Sequence, residues 1–234
     1  MPTVNKSAEG YKSLILGENG VIEKWTKMGV AGWRLDVVDE LPIDFTTDLC
    51  KKIKEVNPDC SIIGEVWEDA STKVAYSEWR PYFMGEQLDG VMNYPFKEAI
   101  ISLMLGGKTK DFVSSITHIL ENYPKANLDV NMNLIGSHDT ARILTVLSGV
   151  TPPYRKEDRA SFTMDGELYT LAKRRLKIAS ALQYFLPGVP CLYYGDEAGM
   201  EGAKDPDEFI KLKGPEAFRK LLEGSEHQLD YRLK

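Results

Sequence analysis

Residues 32–42 read GWRLDVVDELP, an apolar run that places an arginine and an aspartate two positions apart. Strand side chains alternate with period two, so Arg34 and Asp36 share one side of a strand predicted over 30–38. Charge inside so apolar a strand needs a reason. One is a buried ion pair that holds register. The other is a carboxylate kept ionised by its arginine for chemistry. The stretch alone leaves both open.

Four further runs have the same character: CSIIGEVW (60–67), LDGVMNY (88–94), MNLIGSH (132–138) and PCLYYG (190–195). Between them lie helical periods at 19–28, 44–56, 95–105, 110–122 and 166–186. In the second of these, Phe45, Leu49, Ile53 and Val56 fall on one stripe. Apolar strands separated by helices predict parallel strands covered by helices. A doubly wound sheet and a β/α barrel both fit that pattern. The polar residues separate them, because Asp36, Glu65, Asn93 and the pair His138–Asp139 sit at C-terminal strand ends, and Asp196 and Glu197 follow the last run. Functional groups drawn from several strand ends are the habit of a barrel. No glycine fingerprint of a nucleotide site opens a helix here. The expected fold class is α/β, a (β/α)8 TIM barrel.

Composition bounds the partners. The 234 residues carry a formal net charge of −6 without a basic block, which argues against nucleic acid and anionic membranes. No apolar stretch approaches the ~20 residues that span a bilayer, and MPTVNKSAEGYK lacks the apolar centre of a signal peptide. Cys50, Cys60 and Cys191 are widely spaced, so reduced packing residues in a cytoplasmic protein are expected. No metal site is expected.

Glycoside cleavage needs one carboxylate facing the anomeric carbon and one acid at the leaving oxygen, ~5–5.5 Å apart in retaining enzymes. Neighbouring strands, ~4.7–4.9 Å apart, can deliver that spacing. Asp36 and Glu65 end consecutive strand candidates. Glu65 follows Ile62, Ile63 and Gly64 and precedes Val66 and Trp67, an apolar wall that would suit a general acid. The plainer alternatives are a turn or N-cap aspartate at Asp36, and a His138–Asp139 pair capping the segment TARILTVL. Trp67, Tyr94, Tyr193 and Tyr194 could stack on sugar faces, with Asn93 and Tyr94 at the mouth. Trp33 alternates away from Arg34 and Asp36 and reads as core.

GWRLDVVDE, IIGEVWEDA, NLIGSHDTARIL and YYGDEAGMEGAKDP together resemble the α-amylase family of glycoside hydrolases, in particular its neopullulanase, cyclomaltodextrinase and maltogenic amylase group. MPTVN and MGEQLDGVMNYPF are similar to segments of the same group, and the likeness covers residues 1–206. The resemblance implies a retaining α-glucan hydrolase. It matches Asp36 to the nucleophile, Arg34 to the arginine that positions it and Glu65 to the acid/base. It also matches Asp139 to the carboxylate that binds sugar hydroxyls, with His138 beside it. Maltooligosaccharides, cyclodextrins and pullulan are the implied substrates, with α-1,4 and also α-1,6 bonds in range. Hydrolysis and transglycosylation are not separated.

The chain departs from the pattern in two places. The family's first three barrel strands and their DxxxNH motif have no counterpart, so strands four to eight are expected, as an open arc with two edges. After residue 206, DEFIKLKGPEAF matches nothing of the family, and 207–234 is expected to be a helical or poorly ordered tail. The rival reading is therefore a catalytically silent half-barrel that binds glucan, self-associates or pairs with a missing N-terminal half. A sugar-phosphate barrel enzyme is the third, disfavoured because GDEAG (195–199) is an acidic loop. No cofactor is expected, and calcium has no supporting oxygen-ligand loop in this chain.

Overall fold

The computed structural model describes residues 4–150 and 163–202, together with Glu216 and Arg219. The expected tail at 207–234 lies, apart from those two residues, outside the described residues. In chain order, α1 (Glu9–Leu16) and α2 (Val21–Lys27) precede β1 (Gly32–Leu35), a 3₁₀ turn (Val38–Glu40), α3 (Ile43–Val56) and β2 (Ser61–Gly64). A short hairpin, β3 (Val74–Ala75) and β4 (Glu78–Trp79), comes before β5 (Gly90–Val91), α4 (Tyr94–Met104), α5 (Thr109–Asn122), α6 (Lys125–Val130) and β6 (Met132–Asn133). Then come α7 (Ile143–Ser148), α8 (Gly166–Phe185) and β7 (Val189–Pro190).

The strand order decides the topology. β1 pairs with β2 and β2 with β5, all parallel. Met92 bridges to Met132 in parallel, and β6 pairs in parallel with β7. Leaving out the hairpin, each strand lies beside its successor in sequence. A doubly wound sheet reverses its order partway; this arc does not, and it is part of a β/α barrel.

The chain divides into two compact units, residues 1–96, 113–133 and 186–190 in the first and 97–112, 134–185 and 191–234 in the second. All five strands of the arc belong to the first. Its helix α3 buries Phe45, Leu49, Cys50 and Ile53, close to the stripe expected, while Val56 is only half-buried. Glu23 of α2 receives Lys52 of α3 at 2.7 Å, which ties the two helices together. Trp33 points its indole nitrogen at Thr26 of α2, 3.0 Å away; it faces the helical layer but is only partly buried, not the core residue expected. In the second unit α7 packs along α8, burying Ile143, Leu144, Leu147, Ala172 and Ala179. No helix among the described residues is long and apolar enough to cross a membrane. Cys50, Cys60 and Cys191 are all unpaired, and burial pushes the Cys50 thiol up to about 12.

The strands are shorter than the apolar runs foretold: 30–38 yields only Gly32–Leu35, and 88–94 only Gly90–Val91. Side chains close the gaps in these short ladders. Asp89 Oδ2 accepts from the Ile62 amide at 2.8 Å and from Lys54 at 2.8 Å, and Asn131 Oδ1 accepts from the Val91 amide at 2.9 Å. Asn133 Nδ2 donates to the Pro187 carbonyl at 2.9 Å, beside the turn that admits β7. That turn rests on Gly188, whose φ is +120° and where a Cβ would lie 2.8 Å from the Asn131 carbonyl oxygen. Gly188→Ala is expected to cost about 1–3 kcal/mol of stability, since it combines a disfavoured φ with a backbone collision. Urea denaturation followed by circular dichroism checks this; an unchanged midpoint would contradict it.

Candidate active site

The register between β1 and β2 places the acidic residues. Leu35 pairs with Gly64, and the Glu65 amide donates to the Leu35 carbonyl at 2.9 Å. Asp36 and Glu65 therefore leave the ends of adjacent parallel strands at the same level. Arg34, on the same side of β1 as Asp36, reaches both. Its Nη1 donates to Asp36 Oδ1, and its Nη2 lies 2.8 Å from Glu65 Oε2. One planar guanidinium thus holds two carboxylates with separate prongs of its fork.

The two acids sit in unlike surroundings. The Glu65 side chain is 3% exposed and that of Asp36 is 73% exposed. Of the two readings of this pair, the buried register-holding one does not hold: the strand ends at Leu35, and Asp36 projects beyond the ladder into solvent. Glu65 does not face an apolar wall either. Its Oε2 also accepts from the Val37 amide at 2.8 Å, and its Oε1 from Trp67 Nε1 at 3.3 Å. Val37 achieves this with φ 41° and ψ 57°, a left-handed conformation that is uncommon for a β-branched residue. No sequence signal foretold that contribution, because a backbone donor is independent of residue type.

Trp67 is half-exposed, and its ring stacks on Tyr94 at 4.1 Å with an interplanar angle of 11°. Asn93 and Tyr94, expected at the mouth, are both fully buried. Asn93 Oδ1 accepts from the Phe96 amide at 3.3 Å, the N-cap position of α4, and its Nδ2 donates to Asn133 at 3.0 Å. Neither residue is open to solvent, and Tyr94 covers one face of the Trp67 indole.

His138 and Asp139 belong to the second unit. His138 Nε2 lies 3.2 Å from Asp139 Oδ2, and both side chains are about half-exposed. The capping alternative is not realised, because α7 begins after Arg142 and has no side-chain cap. The loop is held by its neighbours instead: Thr140 Oγ1 accepts from the Ser137 amide at 3.2 Å, and Ser137 Oγ from the Asp139 amide at 3.3 Å.

Behind this loop, Asp196 is 4% exposed and neither of its carboxylate oxygens has a hydrogen-bond partner. A Cβ at Gly136 would lie 2.3 Å from Asp196 Oδ2, so only glycine fits there, two residues before His138. Arg142 Nη1 stands 4.0 Å from Asp196 and donates to the Tyr194 carbonyl, with its guanidinium over the rings of Tyr193 and Tyr194. Those two tyrosines, expected to stack on sugar, are engaged by Arg142. Burial pushes Asp196 up to about 7, against the opposing pull of Arg142. The unfolded chain releases this proton near pH ~4. Between pH ~4 and ~7 the folded state therefore binds the extra proton, and stability falls as pH rises through that window. Asp196→Asn is expected to flatten the decline, which is at most about 1.4 kcal/mol per pH unit. Thermal melts at several pH values test this, and an equal slope in both proteins would contradict it.

Among the described residues no three His, Cys, Asp or Glu side chains gather as a metal ion would require.

An arc of parallel strands in sequence order, with acidic residues at its C-terminal ends, is the arrangement of a β/α barrel enzyme. Residues 5–230 match the alpha amylase catalytic domain, and the chain belongs to that family. The match continues past residue 206, where the motifs quoted above end. Among similar proteins, a cyclomaltodextrinase from a Bacillus species is 34% identical over 209 residues, covering 88% of this chain and 31% of its own length. Neopullulanase 2 of Thermoactinomyces vulgaris is 36% identical over 185 residues, covering 78% of this chain and 26% of its own length. A solved cyclomaltodextrinase superposes with a TM-score of 0.65 at 32% identity, over 87% of this chain and 30% of its own. The type III pullulan hydrolase of Thermococcus kodakarensis shares the fold, with a TM-score of 0.71 at 24% identity over 97% of this chain and 37% of its own. The chain thus spans about a third, or less, of the curated relatives it matches.

Proposed function

We propose that this chain carries the catalytic carboxylates of a retaining glycoside hydrolase that cleaves α-1,4, and also α-1,6, glucosidic bonds in maltooligosaccharides, cyclodextrins and related α-glucans. The observation that carries the reading is the single guanidinium of Arg34 in contact with both Asp36 and Glu65. The names of the relatives, a cyclomaltodextrinase and a neopullulanase, support the substrate class.

Asp36 is the nucleophile. Its exposure leaves the carboxylate open to the anomeric carbon, and the prong of Arg34 holds Oδ1 and leaves Oδ2 for attack. Glu65 is the acid/base. Its Oε2 is occupied by Arg34 and the Val37 amide, so the transferable proton belongs on Oε1, whose one contact, Trp67 at 3.3 Å, is the longest of the three. In the first displacement Glu65 gives that proton to the leaving glycosidic oxygen as Asp36 forms the glycosyl–enzyme bond. In the second, Glu65 takes a proton from water, whose oxygen displaces Asp36 from the sugar. Trp67 offers an aromatic face to a sugar ring, with Tyr94 backing the indole and Asn93 fixing the start of α4 beneath it. His138 and Asp139 bind sugar hydroxyls.

The test is release of 4-nitrophenol from 4-nitrophenyl maltoside, and ring opening of β-cyclodextrin, with Asp36→Asn as the blank. Turnover reduced by about 10⁴-fold or more in the variant is expected for loss of a nucleophile. Equal turnover in the two proteins would overturn the assignment of Asp36. A folded chain with no turnover above the blank would contradict hydrolysis by this molecule and leave the silent half-barrel.

A further inference from the structure

The hairpin of β3 and β4 is built inside out. Val74 pairs across it with Trp79, and Ala75 with Glu78. Tyr76 and Ser77 form the two-residue turn with φ of 55° and 64°, the left-handed pair of a type I′ hairpin, which asparagine and glycine ordinarily supply. Alternation puts Lys73, Ala75, Glu78 and Arg80 on one face and Val74 and Trp79 on the other. The face with cations is the inner one. Arg80 is buried and donates to the carbonyls of Leu41 at 2.9 Å and Asp39 at 3.1 Å, and Lys73 pairs with Asp39 at 3.0 Å and with Glu68. The apolar face is the outer one, with Val74 59%, Trp79 49% and the turn residue Tyr76 69% exposed. A small hairpin that turns Arg80 and Lys73 inward and displays its indole presents an interaction surface.

We infer that this outer face is a binding platform for an α-glucan chain, with Trp79 as its stacking surface. The inference rests on the α-glucan reading above. Its location follows from its anchors, which besides Glu68 are on the segment that continues from Asp36. Arg80 and Lys73 hold Asp39, the phenol of Tyr82 donates to Asp39 Oδ1 at 2.5 Å, and the phenol of Tyr76 donates to Glu40. The platform is thus fixed to the C-terminal end of β1, the end that bears Asp36. Its size also selects the occupant. A tryptophan, a tyrosine and a valine exposed to this degree offer roughly 300–400 Å². That suits one or two sugar rings and falls well short of the ~800 Å² per partner of a stable protein interface. A half-exposed indole with the exposed Tyr76 phenol close by in the turn, itself bonded to Glu40, matches a pyranose's apolar C–H face and its hydroxyl edge.

Calorimetric titration of the 234-residue chain with maltoheptaose and with maltose tests this, in the Asp36→Asn background so that ligand survives. Trp79→Ala is expected to weaken maltoheptaose binding about tenfold by removing stacked apolar area, while maltose binding and the circular dichroism spectrum are unchanged. Trp79→Phe is expected to restore most of the loss. Equal maltoheptaose affinity with and without Trp79 would overturn the platform and leave the α-glucan reading intact. A folded chain that binds neither sugar would overturn both. Self-association that is abolished by Trp79→Ala would assign the face to a second copy of the chain, and so would also overturn the platform.

Discussion

The structure turns on one guanidinium. Arg34 sits on the last full turn of pleat before β1 ends and reaches Asp36 on its own strand and Glu65 on the next. Two carboxylates at the ends of strands ~4.8 Å apart repel each other, and parallel pairing alone would not keep them convergent. A lysine could neutralise one of them. A rigid fork with several donors can hold both and fix the gap between them. The strained Val37 backbone belongs to the same device, because the turn that ejects Asp36 from the ladder also aims an amide at Glu65.

The rest of the first unit keeps that end of the arc rigid although its strands are very short. Main-chain ladders of two to four residues carry little cooperativity. Asp89, Asn131 and Asn133 substitute side-chain hydrogen bonds for missing ladder bonds, at the side away from the carboxylates or between neighbouring strands. The cross-ties of the hairpin to Asp39–Leu41 do the same work beyond β1. Polar side chains thus act as structure in this unit, which leaves the strand ends free for chemistry.

Much of this was legible before any coordinates. The expected pairing of Arg34 with Asp36 is present although Asp36 lies one residue past the strand, and the apolar runs fell in the order that the parallel arc uses. The helices α3, α4, α5 and α8 lie within a residue of the periods that foretold them, because each has a stripe or a proline or glycine stop that owes nothing to distant contacts. What was not legible depended on the third dimension. Strand lengths were overstated, since an apolar run continues past the point where the chain turns. The donors around Glu65 come from a backbone amide and from an indole, and neither has a residue-type signature. Asn93 and Tyr94 read as mouth residues because they end a strand, yet helix capping and ring stacking bury them. The inverted hairpin escaped notice because its alternation looks ordinary until one knows which face the anchors take.

Covalent capture tests the central claim most directly. Glu65→Gln lacks the acid/base, but an activated sugar such as α-maltosyl fluoride needs no protonation to leave, so glycosylation outruns release of the enzyme. Intact-mass and peptide analysis of that reaction should find one maltosyl unit added, on the peptide containing Asp36. An adduct on another residue, or fluoride released with no adduct at any time, would contradict the pairing of Asp36 and Glu65 as nucleophile and acid/base.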